Sequence, residues 1–284
     1  MAQLTGKASA PGKIIISGEH SVVYGHPVLA MAINKRITAN FTATRMNQPT
    51  LSVKANYIDG DETKTALDCA INDESVANNM DGDENNEFKL FKHIWADMRG
   101  RWTKDGAMVQ QGGSIEIHVV TEIPLSSGLG SSAAWGASLS AALLHSLHFV
   151  AIGAPFDAGK EKEFVWAYTN FLEKLYHGSP SGCDAAVSIH GGCIFFQRAT
   201  PPGLTQVKPL PRCKINAQNI IVVNTNAKKN TKALVTKVKA FKDSCPEEFT
   251  ELMNTLGDVT SEITECLQEQ VVDKFAFLDY VSMS

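Results

Sequence analysis

Apolar and polar residues alternate over Ile37–Arg45 (ITANFTATR), Leu51–Tyr57 (LSVKANY) and Ser114–Thr121 (SIEIHVVT). That is the pattern of strands with one face in a core and the other in water. Lys13–Ser17 (KIIIS) is apolar and β-branched and reads as another strand, as do Gly192–Arg198 and Asn219–Asn224. Helices are expected near Phe88–Arg99, from Ser131 to about Val150, and over Glu161–Tyr176. In the last of these, Phe164, Ala167, Tyr168, Phe171 and Leu175 share one face, which is most simply a core face. From Thr231 onward the chain reads as helical. Strands therefore crowd the N-terminal half, and a boundary near 210–230 divides a mixed region, 1–215, from a mostly helical one, 216–284. No internal repeat or low-complexity segment interrupts this order.

Residues 59–86 break the pattern. They are acidic, amide-rich and without clear periodicity, which predicts a long surface insertion. Asp81–Leu90 (DGDENNEFKL) gathers acids near one glycine but lacks the ligand order of a calcium-binding EF-hand loop.

Composition narrows the class without naming a chemistry. The chain has 284 residues, 44% hydrophobic and 20% charged, enough to bury a sizeable core. Its formal net charge is −4, and with no basic run it makes a poor nucleic-acid binder. No stretch of about 18 consecutive apolar residues predicts a membrane span. The N-terminus lacks the apolar centre of a signal peptide. The cysteines, Cys69, Cys183, Cys193, Cys213, Cys245 and Cys266, form no C-x-x-C pair and no zinc spacing. They are expected as free thiols in a reducing cytosol.

Chemistry concentrates in PLSSGLGSSAAWGASLSAALL, Pro124–Leu144. A glycine-serine loop entering a helix is a ready anion site, because free backbone N–H groups and the positive end of the helix point at the charge. Gly128, Gly130 and Ala133 fit G-x-G-x-x-A, yet the acid that a dinucleotide site needs about 20 residues later is missing. Gly12-Lys13 suggests a P-loop, but Gly6 stands one residue too far back, and Ile14 occupies the place of the metal-binding Ser or Thr. A phosphate cradle of another kind fits: glycines let the backbone approach, and Ser131 and Ser132 offer hydroxyls to phosphate or Mg²⁺. A plain helix capped by serine remains open from the loop alone.

Two further blocks accompany the loop: APGKIIISGEHSVVYGHP, Ala10–Pro27, and HGSPSGCDAAVSIHGG, His177–Gly192. Together with Pro124-x-x-x-Gly128-Leu129-Gly130-Ser131-Ser132-Ala133-Ala134 they resemble the motifs of the GHMP small-molecule kinases, and within them those of the mevalonate kinase branch. The resemblance spans most of residues 6–284. It implies an α+β, two-domain fold: an N-terminal ribosomal-protein-S5-like domain, a ferredoxin-like C-terminal domain, and a cleft where ATP and substrate meet. The implied reaction is ATP-dependent phosphorylation of the primary hydroxyl of mevalonate. ATP, Mg²⁺ and mevalonate are the implied ligands, and a cytoplasmic homodimer the implied setting.

The resemblance also distributes roles. Gly128, Leu129, Gly130, Ser131, Ser132 and Ala133 are implied to hold the phosphates. Ser132 (of the two serines) and Glu173 are implied Mg²⁺ ligands. Asp184 is implied to take or orient the proton of the substrate hydroxyl, with Lys13 paired to it and reaching the transferring phosphate. Glu19, His20, Lys229 and Thr231 correspond to substrate-pocket positions, Lys229 standing where the family often has arginine and so lacking the planar fork. Read without the resemblance, Glu173 is equally a solvated helix acid, Asp184 a helix N-cap and Lys13 a strand-start lysine.

One family feature is missing. The third glycine-rich run, of the type K-L-T-G-A-G-G-G-G, does not occur, and DKFAFLDYVSMS falls inside what resembles a family helix. The C-terminal domain is therefore expected to be incomplete. Low or absent turnover is the expectation for these 284 residues, with a binding protein or a sister kinase for another small alcohol as the alternatives.

Overall fold

A computed structural model describes residues 2–47, 50–59, 61–71, 85–104, 112–124, 127–154, 156, 158–199, 204–210, 223 and 231–268, without the side chains of 59, 103, 158–160 and 231–233. The chain forms two compact units, each discontinuous in sequence. The first takes Met1–Ala10, Arg36–Glu122 and Ser132–Gly178; the second takes Pro11–Lys35, Ile123–Ser131 and Ser179–Ser284. The fold is α+β, with a mixed sheet and flanking helices.

The first unit is built on β2 (Pro27–Arg45, from Arg36 on), β3 (Leu51–Asp59), β4 (Glu62–Ile71) and β5 (Gly113–Thr121), in the order β4-β3-β5-β2. β3 runs antiparallel to β4 and parallel to β5, and β5 antiparallel to β2. Register follows the hydrophobic pattern: Val53 faces Ile115 and Ala55 faces Ile117 across one ladder, and Ala39 faces Val119 across the next. All six are buried, while their neighbours Lys54, Glu116 and His118 are exposed. A slip of one residue would exchange the two sets.

Three helices complete this unit: α1 (Asn86–Lys104), α2 (Ser131–Ile152, from Ser132 on) and α3 (Ala158–His177). Asn85 explains where α1 starts. Its side-chain oxygen accepts from the backbone N–H of Phe88 at 2.8 Å, and its amide donates to the Ala66 carbonyl of β4 at 2.8 Å; one residue caps the helix and ties it to the sheet. α2 is apolar on every side because it is buried on every side, from Ala133 through Ala151 with few breaks. Trp95, Phe91, Leu139 and Tyr168 are among the largest fully buried side chains of these helices. Tyr168 donates its hydroxyl to Asp97 at 2.7 Å, and Arg101 pairs with the same carboxylate. Burial raises the Asp97 pKa, but these two partners outweigh it and leave the carboxyl below its usual range.

The second unit holds the end of β1 (Ala2–Ser17), a 3-10 turn at Ser21–Tyr24, the start of β2, α4 (Cys183–His190), β6 (Cys193–Gln197), β7 (Gln206–Pro209), α5 (Thr231–Ser244) and α6 (Pro246–Cys266). β6 lies antiparallel between β2 and β7. Here β2 is covered on both faces. Val28 and Ala30 enter a cluster with Cys183, Ala186, Val187, Ile194 and Phe196, whereas Leu29 enters another with Cys193, Leu210, Val259, Ile263 and Leu267. The Ser17 and Thr260 hydroxyls, 2.8 Å apart, fasten α6 to β1 inside this unit.

Several sequence expectations are corrected. β1 begins at Ala2 rather than Lys13, and β2 at Pro27 rather than Ile37. The start of β1 alternates, but its less exposed positions are mostly Gly6, Ala8 and Ala10, too small to give a strong hydrophobic signal, whereas the start of β2 is buried on both faces and does not alternate. The expected insertion contains β4, a strand whose first four residues are exposed, so only Ala66, Leu67 and Ile71 reach the core. Residues 72–84 of that insertion, Lys229, and the expected strand Asn219–Asn224 apart from Val223 lie outside the described residues.

Candidate active site

The second unit presents the lysine, the aspartate and most of the glycine loop. Lys13 lies on β1 and is 6% exposed. Its Nζ sits 3.4 Å from Oδ1 of Asp184, whose side chain stays one-third exposed. Backbone contacts fix this pair. The N–H of Lys13 donates to the Leu129 carbonyl at 2.9 Å, pinning the loop to the strand. Contact this close excludes side chains: a Cβ on Gly12 would lie 2.7 Å from the Leu129 oxygen, and one on Gly130 would lie 2.8 Å from Cγ of Lys13. Gly128 and Gly130 also have φ of 78° and 70°, a region that side chains rarely enter.

Asp184 stands in the first turn of α4, after Gly182 at φ 90°. Ser181 accepts the backbone N–H of Cys183 at 3.2 Å, bracing the start of the helix, and Ser188 donates to the Pro11 carbonyl at 3.0 Å, tying its other end to β1. The expected N-cap role belongs to Gly182, which leaves the Asp184 carboxylate without capping duty. Burial pushes the adjacent Cys183 thiol up to about 12, with the Asp184 charge adding to the rise; Cys183 is thus a neutral packing residue rather than a nucleophile.

Glu19 and His20 cap the bend that follows β1. His20 has φ 66°, alone among the described non-glycine residues in the left-handed region. Such strain costs roughly 1–3 kcal/mol and persists where surroundings enforce it. They do so here: Val23 N–H donates to the His20 carbonyl, Ser21 donates to the Gly18 carbonyl at 2.9 Å, and His26 N–H returns to Ser21. Thr231 opens α5, its side chain outside the described set.

The first unit presents the serine and the buried acid. Ser132 begins the buried length of α2, whose first turn has no acidic residue to occupy its positive end. One turn later Gly136 allows α3 close: a Cβ there would lie 3.2 Å from Thr169 Cγ2 and 3.5 Å from Leu172. Thr169, Glu173 and His177 follow at helical spacing along one stripe of α3. Glu173 is 4% exposed. The Nε2 of His177 lies 3.2 Å from Ser132 Oγ and 3.9 Å from Glu173 Oε1. One imidazole nitrogen therefore faces both expected metal ligands.

Sequence reasoning missed His177, although its i, i+4 spacing from Glu173 could have marked it. It also missed Glu87. That carboxylate accepts the Trp135 indole N–H at 3.2 Å and the Tyr176 hydroxyl, with Tyr57 edge-on to Trp135 at 5.3 Å. Burial, then the bond to Glu87, pushes the Tyr176 hydroxyl well above its ordinary value.

Chemically, the first unit offers a hydroxyl at the start of α2 beside a carboxylate near the end of α3, and the second offers a glycine loop against a lysine-aspartate pair. Mg²⁺ prefers hard oxygens and keeps waters and phosphate oxygens, so one or two protein ligands suffice. Ser132 and Glu173 meet that need, and no cluster of three or more His, Cys, Asp or Glu side chains forms a cage among the described residues.

Known proteins resemble this chain in sequence and in fold. Residues 90–192 match the GHMP kinases N terminal domain. The mouse (Mus musculus) mevalonate kinase is 29% identical over 296 residues, covering 93% of this chain and 70% of that protein. The crystal structure of L. major mevalonate kinase in complex with R-mevalonate superposes with a TM-score of 0.63 at 20% identity, over 98% of this chain and 73% of that one. A Streptococcus pneumoniae phosphomevalonate kinase, solved with phosphomevalonate and AMPPNP, gives 0.59 at 13% identity, over 100% and 78%. Residues 90–192 thus resemble the GHMP kinases N terminal domain, and most of the chain is similar in sequence to mevalonate kinases and in fold to their solved structures.

Proposed function

We propose that this chain is a kinase that transfers the γ-phosphoryl group of ATP to the primary hydroxyl of mevalonate. The observation that carries the reading is the Lys13–Asp184 pair held against a left-handed glycine loop, in a chain whose relatives are mevalonate kinases. Phosphoryl transfer asks the protein mainly for charge neutralisation and an in-line nucleophile. Asp184 orients the substrate hydroxyl and takes its proton. Lys13 neutralises charge on the phosphoryl group in transit. The backbone of Gly128–Ala133 cradles the remaining phosphates at the start of α2. Ser132 and Glu173 hold Mg²⁺, which when bound offsets phosphate charge and aligns the triphosphate. Glu19, His20, Lys229 and Thr231 supply the polar wall for mevalonate, His20 through a ring N–H. The described cysteines are free thiols, as suits a cytoplasmic enzyme, and a homodimer is the proposed assembly.

A coupled ADP-release assay tests this. Mevalonate should drive ADP release above the background without it, and homoserine and phosphomevalonate should not. Asp184→Asn should lower the rate by roughly 10²–10⁴-fold, the usual worth of a positioned acid-base group, with an unchanged melting temperature. Equal rates with all three alcohols, or an Asp184→Asn variant as fast as the parent, would sink the assignment.

A further inference from the structure

We propose that His177 is a positioning residue for the divalent cation, holding Ser132 and Glu173 so that both oxygens are presented together. The inference rests on the kinase reading above. The motif gives His177 no role in transfer, yet its Nε2 is the atom the two ligands share, at 3.2 Å from Ser132 Oγ and 3.9 Å from Glu173 Oε1.

Three observations favour positioning over packing. The His177 side chain is half exposed, so it contributes little to the core. It ends α3, where any basic residue would satisfy the helix dipole, but that role would not require a contact with α2. And its partner is the hydroxyl that must turn a lone pair toward a cation. A serine ligand binds metal through oxygen and needs somewhere to send its proton. In the tautomer that leaves Nε2 bare, the ring accepts that O–H and fixes the Ser132 rotamer with its lone pairs outward. The 3.9 Å separation from Glu173 is too long for a hydrogen bond, so the ring limits the travel of the carboxylate without competing with a metal for it. Outer partners of this kind are commonly worth about 10–100-fold in metal affinity.

The test uses the full chain and Mn²⁺ as a spectroscopic stand-in, titrated with ATP present and read as free Mn²⁺ by electron paramagnetic resonance. His177→Ala should weaken Mn²⁺ binding about tenfold or more while leaving the KM for mevalonate and the ligand-free melting temperature unchanged. His177→Asn or His177→Gln, which keep an acceptor oxygen, should recover most of the loss. Ser132→Ala should also weaken binding, and Ser132→Ala/His177→Ala should be no weaker than Ser132→Ala alone, since the two act through one contact. Unchanged Mn²⁺ affinity in His177→Ala, additive losses in the double variant, or a loss that follows the melting temperature in all three His177 variants would overturn the proposal. A parent chain that binds no Mn²⁺ with ATP would overturn the kinase reading as well, which separates the two failures.

Discussion

Gly12 and Gly130 mark the contact of β1 with the phosphate loop. Each is a place where a single added carbon would strike a neighbour at under 3 Å. Gly130 carries the larger functional weight because its obstacle is the stem of Lys13 itself. Gly130→Ala would pay about 1–2 kcal/mol for a left-handed φ and would push Lys13 Cγ aside. The lysine stem can move, so the fold should survive with a melting temperature lower by a few degrees. The cost should fall on function: a higher KM for ATP and a lower turnover, because the displaced ammonium leaves Asp184 and the phosphoryl path together. Thermal denaturation and steady-state kinetics would check both. A variant with wild-type kinetics would show that the loop does not position the lysine. Residues of this sort are legible in the sequence. Gly128, Gly130, Lys13 and Asp184 sit in short blocks that resemble the motifs of the GHMP kinases, which is what singles them out although Lys13 and Asp184 meet only in the fold. His177 is not legible in that way, because the motif gives it no role and its partner Ser132, 45 residues distant along the chain, meets it only through helix packing.

At the scale of elements, the packing of α2 against α3 decides whether Ser132 and Glu173 can serve one cation. Gly136 and Thr169 set the approach of the helices, and the two expected ligands lie one turn away, Ser132 before Gly136 and Glu173 after Thr169. A glycine inside a long buried helix costs about 1 kcal/mol relative to alanine, which close approach offsets. Gly136→Ala should therefore be nearly neutral: the gain in helix propensity opposes a 3.2 Å contact that needs a shift of a few tenths of an ångström. Gly136→Val adds methyl groups with no room, and overpacking typically costs about 1–3 kcal/mol. The expected result is a lower melting temperature together with weaker Mn²⁺ binding in the presence of ATP. Stability loss without a change in Mn²⁺ affinity would separate the helix contact from the site. Elements are readable in the sequence where one face meets water. α1, α3, β3 and β5 lie where the pattern places them, within about five residues at the ends, whereas α2, buried on every side, is readable from its long run of small and apolar residues instead. The start of β2 escapes because α4 and α6 cover opposite faces, leaving PVLAMAI apolar without alternation. β4 escapes for the opposite reason: half of it is exposed.

For the whole molecule, the notable feature is how often the chain changes units. It crosses five times, after Ala10, Lys35, Glu122, Ser131 and Gly178. β1 and β2 each run through a crossing without interruption. Opening one unit would therefore break strands whose other halves belong to the second, and neither unit could persist as a continuous folded segment. Thermal unfolding is expected as one cooperative transition, unlike the separate steps of domains joined by linkers. Ligand linkage gives the measurement its edge. ATP with Mg²⁺ at about 100 times its dissociation constant adds about 2.7 kcal/mol to the folded state. For a chain of this size that raises the melting temperature by roughly 4–5 °C. The whole transition should move, whether read by calorimetry or by tryptophan fluorescence from Trp95, Trp102, Trp135 and Trp166, all of which lie in the first unit. Glu173→Gln should lose most of the shift that depends on Mg²⁺, since a neutral amide is a poor ligand for a hard cation. Two resolved transitions, or a ligand shift seen by calorimetry but absent from the tryptophans, would show that the units unfold separately despite the strands they share.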